Sequence, residues 1–168
     1  MKIELFPGRK EIVEQSWNFE FDELDLGDFM AGFYQPGRVR LATQTTGKDY
    51  QMTGELFVPT VLECSRCLEP FRLPLHVPLA WFVRRVEAIT PEEELPDGEF
   101  EILPETQELD FTARVREIII FNLPAKPLCR ADCWGLCPTC GQNLNVRTCA
   151  CRREAADPRW DGLRRLMH

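Results

Sequence analysis

The chain has 168 residues, of which 44% are hydrophobic, and its formal net charge is −7. This composition excludes a disordered tail, and the length predicts one main domain with a sizeable core. Residues 124–168 carry a net charge of +4 and residues 1–123 carry −11, which excludes a uniformly basic RNA-coating protein but allows a local basic patch.

Alternation of apolar and polar residues predicts antiparallel strands through the first half of the chain. Trp17, Phe19 and Phe21 alternate with polar residues, and a second alternation covers residues 39–43. Two long strands follow, and Cys64 and Cys67 lie at the tip of the hairpin that joins them. The predicted apolar faces of these two strands are formed by Tyr50, Met52, Leu56 and Val58 and by Phe71, Leu73, Leu75, Val77, Leu79, Trp81 and Val83. Polar residues, including His76, occupy the opposite face, which we expect to meet solvent.

An acidic stretch over residues 86–113 holds ten Asp or Glu residues and no Lys or Arg. Its prolines favour a solvated loop. The alternative is a segment that mimics the charge of a nucleic acid or binds a basic protein. A helix is predicted over residues 110–123, with Asp110 as its N-cap and Pro124 after its end. The apolar stripe expected to pack on the sheet comprises Phe111, Val115, Ile118, Ile119 and Asn122. Asp157-Pro158 predicts the start of a short terminal helix.

Together these elements predict an α+β fold, in which an antiparallel curled, barrel-like sheet carries one packing helix and a small cysteine-rich zinc-binding C-terminal region. We expect a β body over residues 1–123 and a zinc-binding region over residues 124–168, with the terminal helix docked on the body. Residues 126–152 hold six cysteines and are too short for a core of their own, so metal is the predicted substitute.

Eight cysteines occur as four close pairs, which is the ligand count of two tetrahedral metal sites. We predict two structural zinc ions per chain. The expected partition places Cys64/Cys67 with Cys129/Cys133, and Cys137/Cys140 with Cys149/Cys151. The second set is contiguous in sequence, so the entropy cost of closing its loop is small. The rival partition joins the two CxxC turns, Cys64–Cys67 and Cys137–Cys140, at one ion.

Three other uses of the cysteines fit the sequence less well than zinc. Disulfides are disfavoured because the first eight residues lack the apolar core of a signal peptide, so a cytoplasmic protein is expected. The Cys133-x3-Cys137-x2-Cys140 spacing also occurs in radical iron–sulfur enzymes, but this chain is too short for their barrel. A redox CxxC normally opens a helix, whereas Cys64 and Cys67 lie between strands. No apolar run approaches the roughly 20 residues of a membrane span.

Cations cluster around the cysteines and are the candidate RNA-binding residues. They are Arg66, Lys126, Arg130, Arg147, Arg152 and Arg153. Trp134 and Trp160 either stack on unpaired bases or belong to the core. The sequence contains no recognisable catalytic constellation and identifies no small-molecule substrate. Four sulfurs also leave a zinc ion no open position for activating water.

The cysteine segments resemble the YceD family. Residues 63–68 resemble its C-x-R-C-L segment, and residues 127–141, PLCRADCWGLCPTCG, resemble its PLC-x-x-DC-x-GLCP-x-CG signature. Asn143-Leu144-Asn145 and Asp157-Pro158-Arg159-Trp160 complete the likeness. The resemblance implies a cytoplasmic protein needed for normal accumulation of large-subunit ribosomal RNA, with metal serving the fold.

We therefore expect a ribosome biogenesis factor, active in rRNA processing or assembly, that binds rRNA or a pre-ribosomal large subunit. Two alternatives stay open at this point. One is an RNA-processing enzyme with structural zinc, and the other is an acidic adaptor for a basic ribosomal protein.

Overall fold

The computed structural model of the protein describes residues 1–5, 11–46, 49–85, 100–103 and 108–151. Its strands are β1 (Lys2–Glu4), β2 (Val13–Phe19), β3 (Gly32–Phe33), β4 (Gly37–Thr46), β5 (Asp49–Glu63), β6 (Pro70–Arg85), β7 (Phe100–Leu103) and β8 (Glu108–Asp110). These residues also form a 3-10 turn over Phe21–Leu24 and an α-helix, α1 (Thr112–Asn122). In this part of the chain no helix is long and apolar enough to cross a membrane.

A curled, mostly antiparallel sheet forms the body, with strand order β2-β4-β5-β6-β7. Only the β6–β7 pairing is parallel in this order, and β3 pairs with β5 beside it. The β5–β6 hairpin is the longest ladder, with a register that runs from Asp49 opposite Arg84 to Glu63 opposite Pro70. The predicted architecture, a curled antiparallel sheet with one helix and a cysteine-rich region, is confirmed.

One face of the sheet and one side of α1 share a single core. The helix contributes Val115 and Ile119, which are fully buried like Phe111 just before it, whereas Ile118 is half-buried and Asn122 is exposed. His76 is exposed on the other face of the sheet, as its place in the alternation predicts. From the sheet, the buried residues include Leu41, Met52, Leu56, Val58, Leu79, Trp81 and Val83.

The β4 and β5 strands approach each other closely at Gly54. A Cβ atom added to this glycine would lie 2.0 Å from the carbonyl oxygen of Arg40. Only a residue without a side chain fits this contact, which lies where the two strands pair as the sheet curls.

The predicted continuation of the first strand through Phe21 is wrong. Strand β2 ends at Phe19, and Phe21 begins the 3-10 turn. The cause is local, because the backbone N–H of Glu20 donates to the Glu23 carboxylate at 2.8 Å and so starts the turn. Phe21 then packs edge-on against Phe33, with ring centroids 5.4 Å apart.

The acidic stretch contains two strands that its composition does not predict. Residues 100–103 pair with β6, and residues 108–110 pair with β1. Because Asp110 belongs to this second ladder, the helix begins at Thr112 rather than at residue 110. Residues 86–99 and 104–107, like the predicted terminal helix, lie outside the described residues, and the division at residue 124 stays a prediction.

Candidate metal centres and their surroundings

The turn between β5 and β6 presents Cys64 and Cys67 on the same side. The N–H of Leu68 donates to the Cys64 carbonyl at 2.9 Å, and the N–H of Cys64 donates to the Glu69 carbonyl at 3.0 Å. Leu68 adopts a left-handed conformation with φ of 60°. These bonds close a tight loop, which we call the first knuckle (residues 64–69), and it orients both sulfurs inward.

The segment that follows α1 is laid directly over the first knuckle. The N–H of Ser65 donates to the Pro127 carbonyl at 2.9 Å, and the N–H of Leu136 donates to the Arg66 carbonyl at 3.1 Å. Gly135, with φ of 75°, permits the crossing, since a Cβ there would lie 2.9 Å from the Arg66 carbonyl oxygen. This crossing brings Cys129 and Cys133 to the hairpin tip.

Four sulfurs converge at this point, and they form the first tetrad (Cys64, Cys67, Cys129 and Cys133). The Sγ atoms of Cys64 and Cys133 are 3.8 Å apart, and those of Cys67 and Cys129 are 3.7 Å apart. A zinc ion bonded to four sulfurs at about 2.3 Å places them about 3.8 Å from each other. The spacing therefore fits one tetrahedral ion, and it is far too long for the roughly 2.05 Å of a disulfide.

A second knuckle (residues 137–142) repeats the first bond for bond. The N–H of Gly141 donates to the Cys137 carbonyl at 2.9 Å, and the N–H of Cys137 donates to the Gln142 carbonyl at 2.8 Å. Gly141 has φ of 70°, in the place that Leu68 fills in the first knuckle. The knuckle supplies half of the second tetrad, which comprises Cys137, Cys140, Cys149 and Cys151.

The sulfur atoms group as the partition predicted from chain proximity has them, and the two knuckles do not meet at one site. In each tetrad the four sulfur atoms lie within 4.8 Å of one another. The two sites differ in burial. Three cysteines of the first tetrad are buried, whereas Cys140 and Cys151 of the second are exposed.

The first cysteine of each knuckle is prepared to ionise. Burial opposes ionisation of Cys64, but backbone N–H groups of Cys129, Cys67 and Arg66 donate to its sulfur and lower its pKa to about 6. Backbone N–H groups of Cys140 and Thr139 likewise lower the pKa of Cys137 to about 6. Backbone donors of the knuckles, joined at Cys64 by the N–H of Cys129, thus favour a thiolate at the first cysteine of each knuckle.

Cys129 and Cys151 resist ionisation while no cation balances the charge. Burial and the neighbouring thiols raise the pKa of Cys129 to about 12. A hydrogen bond with Cys140, followed by burial, raises the pKa of Cys151 to about 12. A divalent cation at the centre relieves this repulsion, so the donor sets are suited to bind metal with release of protons.

Asn145 contacts the first tetrad, although its sequence position alone did not indicate this role. Its Nδ2 donates to the Sγ of Cys133 at 3.3 Å, and its Oδ1 accepts from the Trp134 N–H at 2.8 Å. Asn143 in turn holds Asn145, because its Oδ1 accepts from the Asn145 backbone N–H at 3.0 Å. The Asn-Leu-Asn segment, noted only as part of a motif, supports the sulfurs of the first tetrad.

Four of the six candidate RNA-binding residues lie in the described part of the chain, and all four are exposed. Arg66 donates to the Cys133 carbonyl at 2.8 Å, so it also braces the first tetrad. Arg130 donates to the Asn145 Oδ1 at 2.7 Å, and Arg147 donates to the Gln142 Oε1 at 2.7 Å. Lys126 is the fourth, while Arg152 and Arg153 lie outside the described residues.

Trp134 belongs to the surface rather than to the core. It is 73% exposed beside the first tetrad, and Val146, next to Asn145, is 77% exposed. A large aromatic ring held by its backbone and open to solvent offers a stacking face. Trp160, the other stacking candidate, lies outside the described residues.

Comparison with known proteins assigns the chain to a family. The family model described as large ribosomal RNA subunit accumulation protein YceD matches residues 52–167. The chain belongs to the YceD family. The match includes both knuckles and all eight cysteines, so the residues that form the two tetrads lie within the family region.

Relatives with curated sequences are bacterial and plant proteins. Uncharacterised proteins of Mycobacterium bovis and Mycobacterium tuberculosis are 33% identical over 127 residues, which is 76% of this chain and 60% of theirs. An Arabidopsis thaliana protein, large ribosomal RNA subunit accumulation protein YCED homolog 1, chloroplastic, is 37% identical over 54 residues, or 32% of this chain and 17% of its own length. The chain thus spans about 60% of the length of these mycobacterial relatives. No solved structure matches.

Proposed function

We propose that this protein acts in biogenesis of the large ribosomal subunit by binding rRNA or a pre-ribosomal particle, and that its metal is structural. Membership of the YceD family across residues 52–167 is the observation that carries this proposal. The Arabidopsis relative, which is named a large ribosomal RNA subunit accumulation protein, supports it. A cytoplasmic location, with a ribosomal protein as a further partner, belongs to the same proposal.

We assign one zinc ion to each tetrad. In the first, the ion would join the hairpin tip to the segment after α1, and in the second it would close the chain between Cys137 and Cys151. Four thiolates complete a tetrahedral shell, so each ion would serve the fold. The sulfur separations of 3.7 and 3.8 Å support this assignment at the first tetrad.

The surface that surrounds the tetrads is the proposed contact with RNA. It combines the exposed cations Lys126, Arg130 and Arg147 with the exposed ring of Trp134. Cations bind phosphates, and an open indole face stacks on an unpaired base. Arg152 and Arg153 extend the same cationic set in sequence, and we include them in the proposal. Arg66 is the sixth member, with its guanidinium shared between support of the tetrad and contact with RNA.

The test is a titration with large-subunit rRNA fragments in magnesium, with and without a zinc chelator. We expect binding without strand cleavage, and weaker binding once the metal is removed. Cleavage of the fragments would instead support an RNA-processing enzyme.

A charge variant locates the contact. Changing Arg147, Arg152 and Arg153 together to Ala should weaken association and flatten its salt dependence by about 2 log units per log unit of salt. A matched control changes Lys2, Arg9 and Lys10 to Ala. It alters the net charge by the same amount, at residues far from the tetrads in sequence. Equal loss in both variants would mean that net charge alone, and not this surface, governs binding.

A further inference from the structure

The face of the sheet that points away from the core carries an organised aromatic and cationic patch. In the ladder of the three long strands, Arg38 of β4 lies opposite Phe57 of β5, and Phe57 lies opposite His76 of β6. Residues directly opposite on one face have Cβ atoms about 4.5–5.5 Å apart. These three side chains therefore form one row across the sheet. The row lies at a different place in the fold from the knuckles.

The two rings of this row are in contact and accessible. The centroids of Phe57 and His76 are 4.9 Å apart, with the ring planes at 51°. His76 is exposed, and Phe57 is half-buried. A cleft of about 230 Å³ opens beside the rings, lined by Arg38, Arg40, Glu55, Leu56, Phe57 and His76.

Two more arginines flank the row. Arg40 pairs with Glu55 at 3.3 Å, and both side chains are more than half exposed. Toward the hairpin tip, the Arg72 guanidinium lies 4.9 Å from the centre of the Tyr34 ring. We call Arg38, Arg40, Phe57, Arg72 and His76 the sheet patch. It continues along β6 toward the first knuckle.

The charge of the sheet patch opposes that of the body. Residues 1–123 carry −11 in all, yet this patch has three arginines, and among the described residues the one carboxylate paired with any of them is that of Glu55. Within the described residues, no carboxylate pairs with Arg38 or Arg72. Arg38 and Arg72, which pair with no carboxylate among the described residues, lie near accessible rings, and this combination matches a ligand that offers both phosphates and flat bases.

We propose that the sheet patch binds single-stranded RNA, with an unpaired base stacked on Phe57 and His76 and the adjoining phosphates held by Arg38, Arg40 and Arg72. The choice of RNA as the ligand rests on the proposed function, but the residues are separate from those around the tetrads. An acidic protein segment would use the arginines and leave the paired rings without a role. Single-stranded RNA uses both.

The test measures binding of a fluorescently labelled 12-nucleotide oligouridine by anisotropy. Phe57→Leu keeps an apolar side chain but removes the stacking ring, and we expect it to bind about five-fold to a hundred-fold more weakly. Phe57→Tyr keeps the ring and should bind like the parent protein. Unchanged affinity in Phe57→Leu, or equal losses in both variants, would overturn the proposal.

The arginines are tested by salt dependence. Changing Arg38 and Arg72 together to Gln should lower the salt slope by about 1.4, at about 0.7 per phosphate contact. A control on the same face, Gln44→Ala with Thr53→Ser, should leave the slope unchanged. The melting temperature of each variant confirms its fold, and a slope equal to that of the parent would contradict the arginine contacts.

Two comparisons separate this proposal from the function proposed above. If the variants around the tetrads lose pre-ribosomal particles while the sheet-patch variants bind oligouridine like the parent, the sheet patch fails and the function stands. If the sheet-patch variants lose oligouridine while the parent protein binds no pre-ribosomal particle, the patch stands and the function fails. Competition by polyglutamate as effective as that by unlabelled oligouridine, with no loss in Phe57→Leu, would overturn the RNA assignment in favour of an acidic protein.

Discussion

Leu68 and Gly141 occupy the same position in two knuckles that share their hydrogen bonds. Both residues follow the second cysteine of a CxxC turn, and both are left-handed, with φ of 60° and 70°. Each donates its N–H to the carbonyl of the first cysteine at 2.9 Å. One knuckle is therefore built with glycine, whereas the other holds a branched side chain in a conformation that costs about 1–2 kcal/mol.

Leu68→Gly is expected to stabilise the metal-loaded protein slightly. Relief of the left-handed strain exceeds the additional unfolded-state entropy of glycine, about 0.5–1 kcal/mol, and Leu68 is 54% exposed, so little packing is lost. Chemical denaturation at fixed zinc concentration measures the change. The reciprocal variant, Gly141→Leu, should destabilise by at least about 1 kcal/mol. A marked loss of stability in Leu68→Gly would show that the leucine makes a contact that compensates for its strain.

Asn145→Ala should weaken metal binding at the first tetrad. The change removes the N–H···S bond to Cys133, and loss of such supporting bonds typically costs about 10-fold to 100-fold in metal affinity. Chelator competition measures the affinity. Asn122→Ala is the matched control, because Asn122 donates to the Ile118 carbonyl on α1, away from both tetrads. Equal metal affinity in parent and Asn145→Ala would show that this bond is dispensable.

The second tetrad should lose its metal before the first. Cys140 and Cys151 are exposed, whereas Cys64, Cys67 and Cys133 are buried, so a chelator or alkylating reagent reaches the second site more easily. Mass spectrometry after brief alkylation should find label on Cys140 and Cys151 first. Early labelling of Cys64 or Cys133 would contradict the order.

Metal binding at pH 7 should release fewer than four protons per ion. Cys64 and Cys137, with a pKa of about 6, are already mostly ionised at that pH, whereas Cys129 and Cys151, with a pKa of about 12, lose their protons to the buffer only when the metal displaces them. As pH falls below about 6, Cys64 and Cys137 become protonated, so proton release rises and metal affinity falls. Calorimetry in two buffers of different ionisation enthalpy counts the protons. Release of four at pH 7 would mean that the knuckle N–H groups do not favour the thiolates.

Gly54→Ala should destabilise the sheet by about 1–3 kcal/mol, because its Cβ would overlap the Arg40 carbonyl and push β4 from β5. Gly27→Ala, where an added Cβ has no atom within 4 Å, is the control. Thermal unfolding compares the two. If both variants melt at the same temperature, β4 and β5 accommodate the added Cβ at residue 54 without a loss of stability.

The sequence predicts features whose signal is local. The alternation from Phe71 to Val83 predicts the long hairpin and its buried face, and the cysteine spacing predicts both tetrads. Features that depend on distant pairing are missed. Residues 100–103 form a strand only by joining β6, and nothing in their acidic surroundings indicates it.

Burial of side chains near the metal sites was also hard to predict. Trp134 has a large aromatic side chain of the kind usually found in a core, but it is exposed beside the chain crossing at Gly135. Asn145 is an ordinary polar residue until the fold places its amide 3.3 Å from a sulfur. In both cases the environment of the side chain depends on the path of the chain over the first knuckle. The periodicity of the sequence does not predict that path.

Sedimentation of the purified, zinc-loaded protein with large-subunit precursors on a sucrose gradient tests the central claim most directly. The account predicts that the protein travels with precursor particles at low salt and is released as salt rises. It also predicts that the Arg147, Arg152 and Arg153 triple Ala variant is released at lower salt than the control altered at Lys2, Arg9 and Lys10. A protein that stays at the top of the gradient under all conditions, with both metals bound, would contradict the account.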